Sequence, residues 1–175
     1  MTAGQAGART LVVMRHAKAE PDGPSDFERA LAQRGHGDAV AAGAWLAESG
    51  VEPEHALVSA ALRTRQTWEH VCRGAGWSLE PELDRGLYAA GVDTAIDLLR
   101  LLDDDVTTAV VVGHNPTMHS LATTLDDAGG DTRASTETAI GGFPTSATVV
   151  LAVPGSWSDL GPGGASVVAY HVGRG

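Results

Sequence analysis

The chain contains two short aliphatic runs that each end in a histidine, and no other feature constrains its fold as much. Leu11-Val12-Val13-Met14 leads into Arg15-His16, and Ala109-Val110-Val111-Val112 leads into Gly113-His114. Unbroken apolar runs of this length, rich in β-branched residues, read as strands covered on both faces, the pattern of a parallel sheet clad in helices. In such sheets ligands bind beyond the carboxyl ends of the strands. The runs therefore predict that both histidines, one beside an arginine, reach the same edge of one sheet. That layout suits phosphoryl chemistry.

The rest of the chain alternates in the same sense. After residues 1–9, expected to be frayed, a strand spans about Thr10 to Met14. Pro21, Gly23 and Pro24 mark a loop. Helical spacing follows around His36, with Ala39, Val40, Gly43 and Leu46 on one stripe, and stops near Ser49-Gly50. Ala56 to Val58 predicts a second strand, and Ser59 stands where the N-cap of a helix through Leu62, Trp68, Val71 and Cys72 would lie. Trp77 to Glu80 predicts a third strand. Val92, Ala95, Ile96, Leu99 and Leu102 mark an amphipathic helix. Asn115-Pro116 reads as an N-cap followed by proline at the first helical position, opening a helix towards Leu125. Ala128 to Thr138 is polar and shows no clear structure, and Ala147–Val153 and Ala165–His171 read as closing strands. The economical fold is α/β, a three-layer sandwich whose central sheet is mainly parallel with helices on both faces, in one domain over 1–175.

Charge and cysteine content narrow the partners. The formal net charge of -10 argues against nucleic acid and against an anionic membrane surface. An acidic protein that handles phosphate must hold its arginines locally, in a pocket. The single cysteine, Cys72, excludes an intramolecular disulfide and fits a reducing compartment. With no apolar run resembling a signal peptide in Met1 to Thr10 and no stretch long enough to cross a bilayer, the expected location is the cytoplasm.

His16 is the candidate nucleophile, since a neutral imidazole can attack phosphorus in line and give a phosphohistidine that water resolves. Arg15 matches phosphoryl oxygens with its planar fork and, by like-charge repulsion, keeps His16 unprotonated. His114, at a strand-to-helix corner where free N–H groups favour anions, is a candidate donor to a phosphoryl oxygen. Arg63 and Arg65 follow the second strand, and either could complete the cradle. A metal held by His114 and His119 fits no zinc spacing. Cys72 falls on an apolar stripe and reads as core, while His36, His55, His70 and His171 lack any constellation and read as surface or packing residues.

Taken together, Arg15-His16-Ala17, the segment Asp26 to Gly35 with Arg29 and Leu31, Leu57-Val58-Ser59 followed by Leu62-Arg63 and Gln66-Thr67, Leu87-Tyr88, Val112 to Pro116, and Phe143-Pro144-Thr145 resemble the histidine phosphatase superfamily, which includes the phosphoglycerate mutases. In detail they look like the small SixA-type phosphohistidine phosphatases. The resemblance implies a phosphoglycerate mutase-like sandwich with its pocket at the carboxyl edge of the sheet. It implies His16 as phosphoryl acceptor, with Arg15, Arg63 and His114 on the oxygens, and it selects Arg63 over Arg65. No cofactor or metal is implied. Mutases and many phosphoester phosphatases carry a mid-chain glutamate as general acid, and here that region offers only Glu82 and Asp84 outside the familiar setting. A missing acid favours P–N substrates, because an alcohol leaving group needs a proton far more than an imidazole does. The expected function is a metal-independent phosphatase acting on a phosphohistidine-bearing protein and releasing phosphate. The alternatives are a phosphatase of a small phosphoester, with Glu82 or Asp84 as acid, and a non-catalytic phosphate- or phosphoprotein-binding module. Lys18, Glu20 and Arg29 flank the expected pocket.

Overall fold

The computed structural model describes residues 7–175. Six strands form one sheet: β1 (Arg9–Arg15), β2 (His55–Ser59), β3 (Glu82–Asp84), β4 (Thr108–Gly113), β5 (Ala147–Val153) and β6 (Ser166–Val172), in the order β3-β2-β4-β1-β5-β6. β3, β2, β4 and β1 run parallel, while β5 is antiparallel to both its neighbours, β1 and β6. The helices are α1 (Gln33–Glu48), α2 (Leu62–Ala75), α3 (Val92–Arg100), α4 (Thr117–Leu125) and α5 (Thr132–Ile140). Among the described residues no helix is long and apolar enough to cross a membrane.

Alternate residues of the two aliphatic runs feed opposite layers. Leu11, Val13, Ala109 and Val111 pack with Ala95, Ile96 and Leu99 of α3 and Met118, Leu121 and Leu125 of α4. Val12, Met14, Val110 and Val112 pack with Ala39, Ala42 and Leu46 of α1 and Trp68 and Val71 of α2. All eight strand residues are essentially inaccessible to solvent, and each such aliphatic side chain larger than alanine stabilises the fold by about 1.5–3 kcal/mol. α1 and α2 approach until backbone meets backbone: a Cβ on Gly43 would strike the Val71 carbonyl, and one on Gly74 the Val40 carbonyl. The register Arg15↔Gly113 aligns the ends of β1 and β4, so His16 and His114 leave the sheet at one level. The bond from His16 N to Gly113 O, 3.0 Å, carries the pairing one residue further.

Several local expectations are corrected. Of the segment expected to be frayed, residues 1–6 lie outside the described chain, but Arg9 already belongs to β1 and its guanidinium donates to Gly155 O (2.8 Å) and Asp104 O (2.9 Å). Trp77 to Glu80 is not a strand. Trp77 and Leu79 pack onto the α1/α2 layer, Trp68 Nε1 donates to Leu79 O, and the edge strand is the shorter Glu82–Asp84. Ser59 does not cap α2, because Ala61 holds that position and Thr64 Oγ1 donates to both Ser59 O and Ala61 O. Pro116, not Asn115, stands at the cap of α4. The segment 128–138 contains most of α5, whose start is capped by the Asp131 carboxylate accepting from Ala134 N at 2.8 Å. Cys72 is half-buried at the margin of the α1/α2 layer.

The histidines read as isolated are not all so. His70 Nδ1 donates to Gln66 O, which leaves its Nε2 to accept from His36 Nδ1 at 2.9 Å, a pair across α1 and α2. His55 Nε2 lies 2.9 Å from the Glu82 carboxylate, and the His171 ring stacks on Trp45.

Candidate active site

The structure brings His16, Arg15, Arg63 and His114 together at the carboxyl edge of the parallel strands. His16 is buried, with 7% of its surface exposed, and its ring centroid is 5.3 Å from that of His114. His16 Nδ1 is 2.7 Å from Ala17 O. A carbonyl only accepts, so Nδ1 carries the proton and Nε2 presents its lone pair. Burial, and then the charges of His114, Arg63 and Arg15, push the His16 pKa down to about 3, against a smaller opposing contribution from the Ala17 bond. His114 is lowered to about 4, first by burial and then by Arg63, with Asp26 opposing. Both rings are therefore neutral at neutral pH.

The arginines are held from opposite sides. Arg15 Nη1 donates to Phe143 O at 3.3 Å, and burial followed by the Arg63 charge lowers its pKa. Arg63 starts α2, where its side chain is nearly buried; Nη1 donates to Asp26 O (2.7 Å) and Nη2 to Asp26 Oδ2 (3.2 Å). Arg15 Nε, Arg63 Nε and His114 Nδ1 are buried without a protein partner, and buried polar groups of that kind call for a functional explanation. Arg65 points away, its Nε bonded to Ala60 O, and is exposed. One hydroxyl ties the two corners: Thr67 Oγ1 accepts from Ala17 N at 3.0 Å and donates to Arg63 O at 2.7 Å.

The reading of single residues missed Asp26, Tyr88 and Ser59 as members of the site. The Asp26 carboxylate accepts from Arg29 Nε, Arg63 Nη2 and the Tyr88 hydroxyl, and these contacts, Tyr88 foremost, lower its pKa to about 2. Tyr88 sets its ring edge-on to His114 at 5.4 Å and to Phe27 at 5.0 Å. Ser59 Oγ lies 2.8 Å from His114 Nε2. Asn115 Nδ2 donates to Phe143 O, the carbonyl that also receives Arg15. Each lies in a segment that carries the family resemblance, so position was signalled in the sequence and contact was not. Lys18 is exposed, and Arg29 is held by Asp26 and by Glu20 O.

Both candidate acids have contacts of their own. The Glu82 carboxylate lies 2.9 Å from His55 Nε2, and His55 lies four residues before the end of β2, remote from the edge where the rings sit. Asp84 reaches the right edge, paired with Ser59, but its Oδ1 accepts from Leu87 N at 2.8 Å and so caps the short turn over Gly86–Ala89. His119 turns from His114 to Thr138 O, 2.9 Å away.

With this geometry established, the comparisons with known proteins fall in line. The sequence model of the histidine phosphatase superfamily (branch 1) matches residues 11–88. An uncharacterized protein of Mycobacterium tuberculosis strain H37Rv is 41% identical over 162 residues, 92% of this chain and 100% of its own. The phosphohistidine phosphatase SixA of Escherichia coli K12 is 34% identical over 123 residues, 66% of this chain and 73% of its own. A solved structure from Nakamurella multipartitia, provisionally named phosphohistidine phosphatase SixA, superposes with a TM-score of 0.84 at 31% identity, over 97% of this chain and 98% of that one. The chain belongs to the histidine phosphatase superfamily and is one of its phosphatases.

Proposed function

We propose that the chain is a phosphohistidine phosphatase that works through a phosphorylated His16. The observation that carries this reading is a neutral, buried nucleophile among three cationic or polar donors, with no carboxylic acid left to protonate an alcohol. Asp26 is ionised, Asp84 is spent on Leu87 N, and Glu82 is at the far end of the sheet. A phosphoimidazole that carries a proton on its distal nitrogen departs as neutral imidazole and needs no such acid.

In the first step the lone pair of His16 Nε2 attacks phosphorus. The new N–P bond forms as the bond to the substrate imidazole breaks, and that electron pair returns to the departing nitrogen. Arg15 and Arg63 face the phosphoryl oxygens with charge, and His114 adds a neutral donor. In the second step water attacks phosphorus, His16 leaves, and phosphate is released with the proton of the water. The bond from Nδ1–H to Ala17 O, 2.7 Å, keeps the distal proton on the His16 ring throughout, so His16 too departs as neutral imidazole. The same bond therefore serves attack and departure.

The test is phosphate release from a phosphohistidine-bearing protein and from a small phosphoester at equal enzyme concentration, with His16→Ala as control. Rapid release from the phosphohistidine protein by the wild type alone is the expected result. A clear preference for the ester would overturn the substrate assignment and leave the phosphatase class intact.

A further inference from the structure

We infer that Ser59 is a positioning residue that holds His114 as its Nδ1–H tautomer, presenting that N–H to the phosphoryl oxygens. The inference deepens the proposed function and rests on its placing of His114 beside the transferring group.

A neutral imidazole has one proton for two nitrogens, and the neighbours decide where it sits. His114 Nε2 is 2.8 Å from Ser59 Oγ, and Nδ1 has no protein partner. Ser59 is fully buried at the end of β2, and the bond to His114 spans the ends of two paired strands, with Val58 opposite Val112. Two proton arrangements are open. If Nε2–H donated to Ser59, the hydroxyl would have to give its own proton to another acceptor. Among the described residues Ser59 Oγ has one other hydrogen bond, from Ala61 N at 3.5 Å, and that group can only donate. The hydroxyl proton would then be buried and unpaired, and Nδ1 would be a bare lone pair, useless to an anionic oxygen. If the hydroxyl donates to Nε2, every demand of Ser59 is met: its proton is used and its oxygen accepts from Ala61 N. The proton of His114 then lies on Nδ1, as a donor without a protein acceptor.

That choice runs against the Nε2–H form that a histidine side chain favours in water, so it has to be imposed. It also improves the donor, since a hydrogen bond received at Nε2 polarises the ring and strengthens the Nδ1–H bond it makes. Ser59 thus acts on the phosphoryl group through His114 without touching it. The corresponding bond on the other ring is made by the Ala17 carbonyl, which places the His16 proton on Nδ1 and frees Nε2. One ring is tuned as nucleophile by an acceptor, the other as donor by a donor.

The experiment is ¹⁵N NMR of histidine-labelled protein at neutral pH, without substrate, combined with steady-state rates for Ser59→Ala and Ser59→Thr. Wild-type His114 is expected to show a protonated Nδ1 and a bare Nε2. Ser59→Ala should move His114 towards the Nε2–H form and lower kcat roughly tenfold or more, short of the hundred- to thousandfold loss typical when such a donor is deleted outright. Ser59→Thr, which keeps the hydroxyl, should restore both the tautomer and most of the rate. A wild-type His114 protonated at Nε2 overturns the inference, as does a Ser59→Ala protein with unchanged tautomer or unchanged kcat. Should Ser59→Ala fail to fold, the wild-type spectrum and the threonine variant decide alone. The spectrum needs no substrate, and rates are read on whichever phosphorylated compound the wild type hydrolyses. Failure of the phosphohistidine assignment is thereby kept separate.

Discussion

The two ends of the sheet use the same residue types to opposite effect. At the amino end basic and acidic side chains pair off: Arg9 faces Asp104 at 3.5 Å and His55 Nε2 lies 2.9 Å from Glu82. At the carboxyl end burial and then the charge of Arg63 depress the pKa of Arg15, and the carboxylate of Asp26 is shared among Arg29, Arg63 and Tyr88. At the first end Arg9 is balanced by a carboxylate. The second end keeps surplus positive charge, and burial with the neighbouring arginines holds its two imidazoles neutral. The candidate site lies at the edge where charge is left unbalanced, although histidine, arginine and carboxylate occur at both.

The sharpest way to break this contrast is His16→Ala. Turnover is expected to fall below detection while the circular dichroism and thermal midpoint stay near wild type; measurable turnover would remove His16 as the phosphoryl acceptor. Next, Arg63→Ala is expected to lose roughly a thousandfold in rate, the scale of one arginine in phosphoryl transfer. Arg65→Ala, an exposed neighbour on the same helix, should stay within about threefold, and equal losses would undo the assignment between them. Asp26→Asn comes third, with a loss of roughly tenfold, because the charge-assisted bond its carboxylate accepts from Arg63 is worth about 1.5–3 kcal/mol when well shielded and less at this exposed carboxylate.

The comparison also has a signature in pH. His16 and His114 titrate near 3 and 4 in the folded chain against 6.5 when unfolded. Between those values the unfolded chain binds protons that the folded chain refuses, so stability falls as pH drops below 6.5. Denaturant melts at pH 7 and pH 5 should show a smaller acid loss for His16→Asn than for wild type, and an unchanged loss would mean the ring is not held neutral. The smallest effect is expected at the other end: Glu82→Gln should leave turnover unaltered and shift stability by less than about 1 kcal/mol. A large loss of rate in that variant would restore Glu82 as the acid.

What could be read in the chain depended on how local its cause was. The runs 11–14 and 109–112 declared a sheet covered on both faces because each residue reports its own burial, and the histidines at their ends followed. The expected mainly parallel sheet stands for β3, β2, β4 and β1; β5 alone is reversed, and β6, antiparallel to β5, runs in the sense of the first four. Ser59 was misread because a serine between a strand and a helix looks like a cap, whereas its partner is 55 residues away in His114. Asp26 gave no local sign of its role, since it is Tyr88, 62 residues on, and Arg63, 37 residues on, that draw it into the site. α5 escaped notice because a threonine-rich nine-residue segment has little intrinsic helical preference and leans on the Asp131 cap and the burial of Ala134 and Thr138.

The hydroxyl of Thr67 carries a consequence for tolerance. It touches the backbone on both sides of the candidate site, Ala17 N beside His16 and Arg63 O on α2. The spacing between nucleophile and guanidinium is thereby gauged across a single side chain, and small displacements need not accumulate through the sheet and the two helices. In the proposed reaction the nucleophile and the guanidinium are thus tied through one oxygen atom, Thr67 Oγ1.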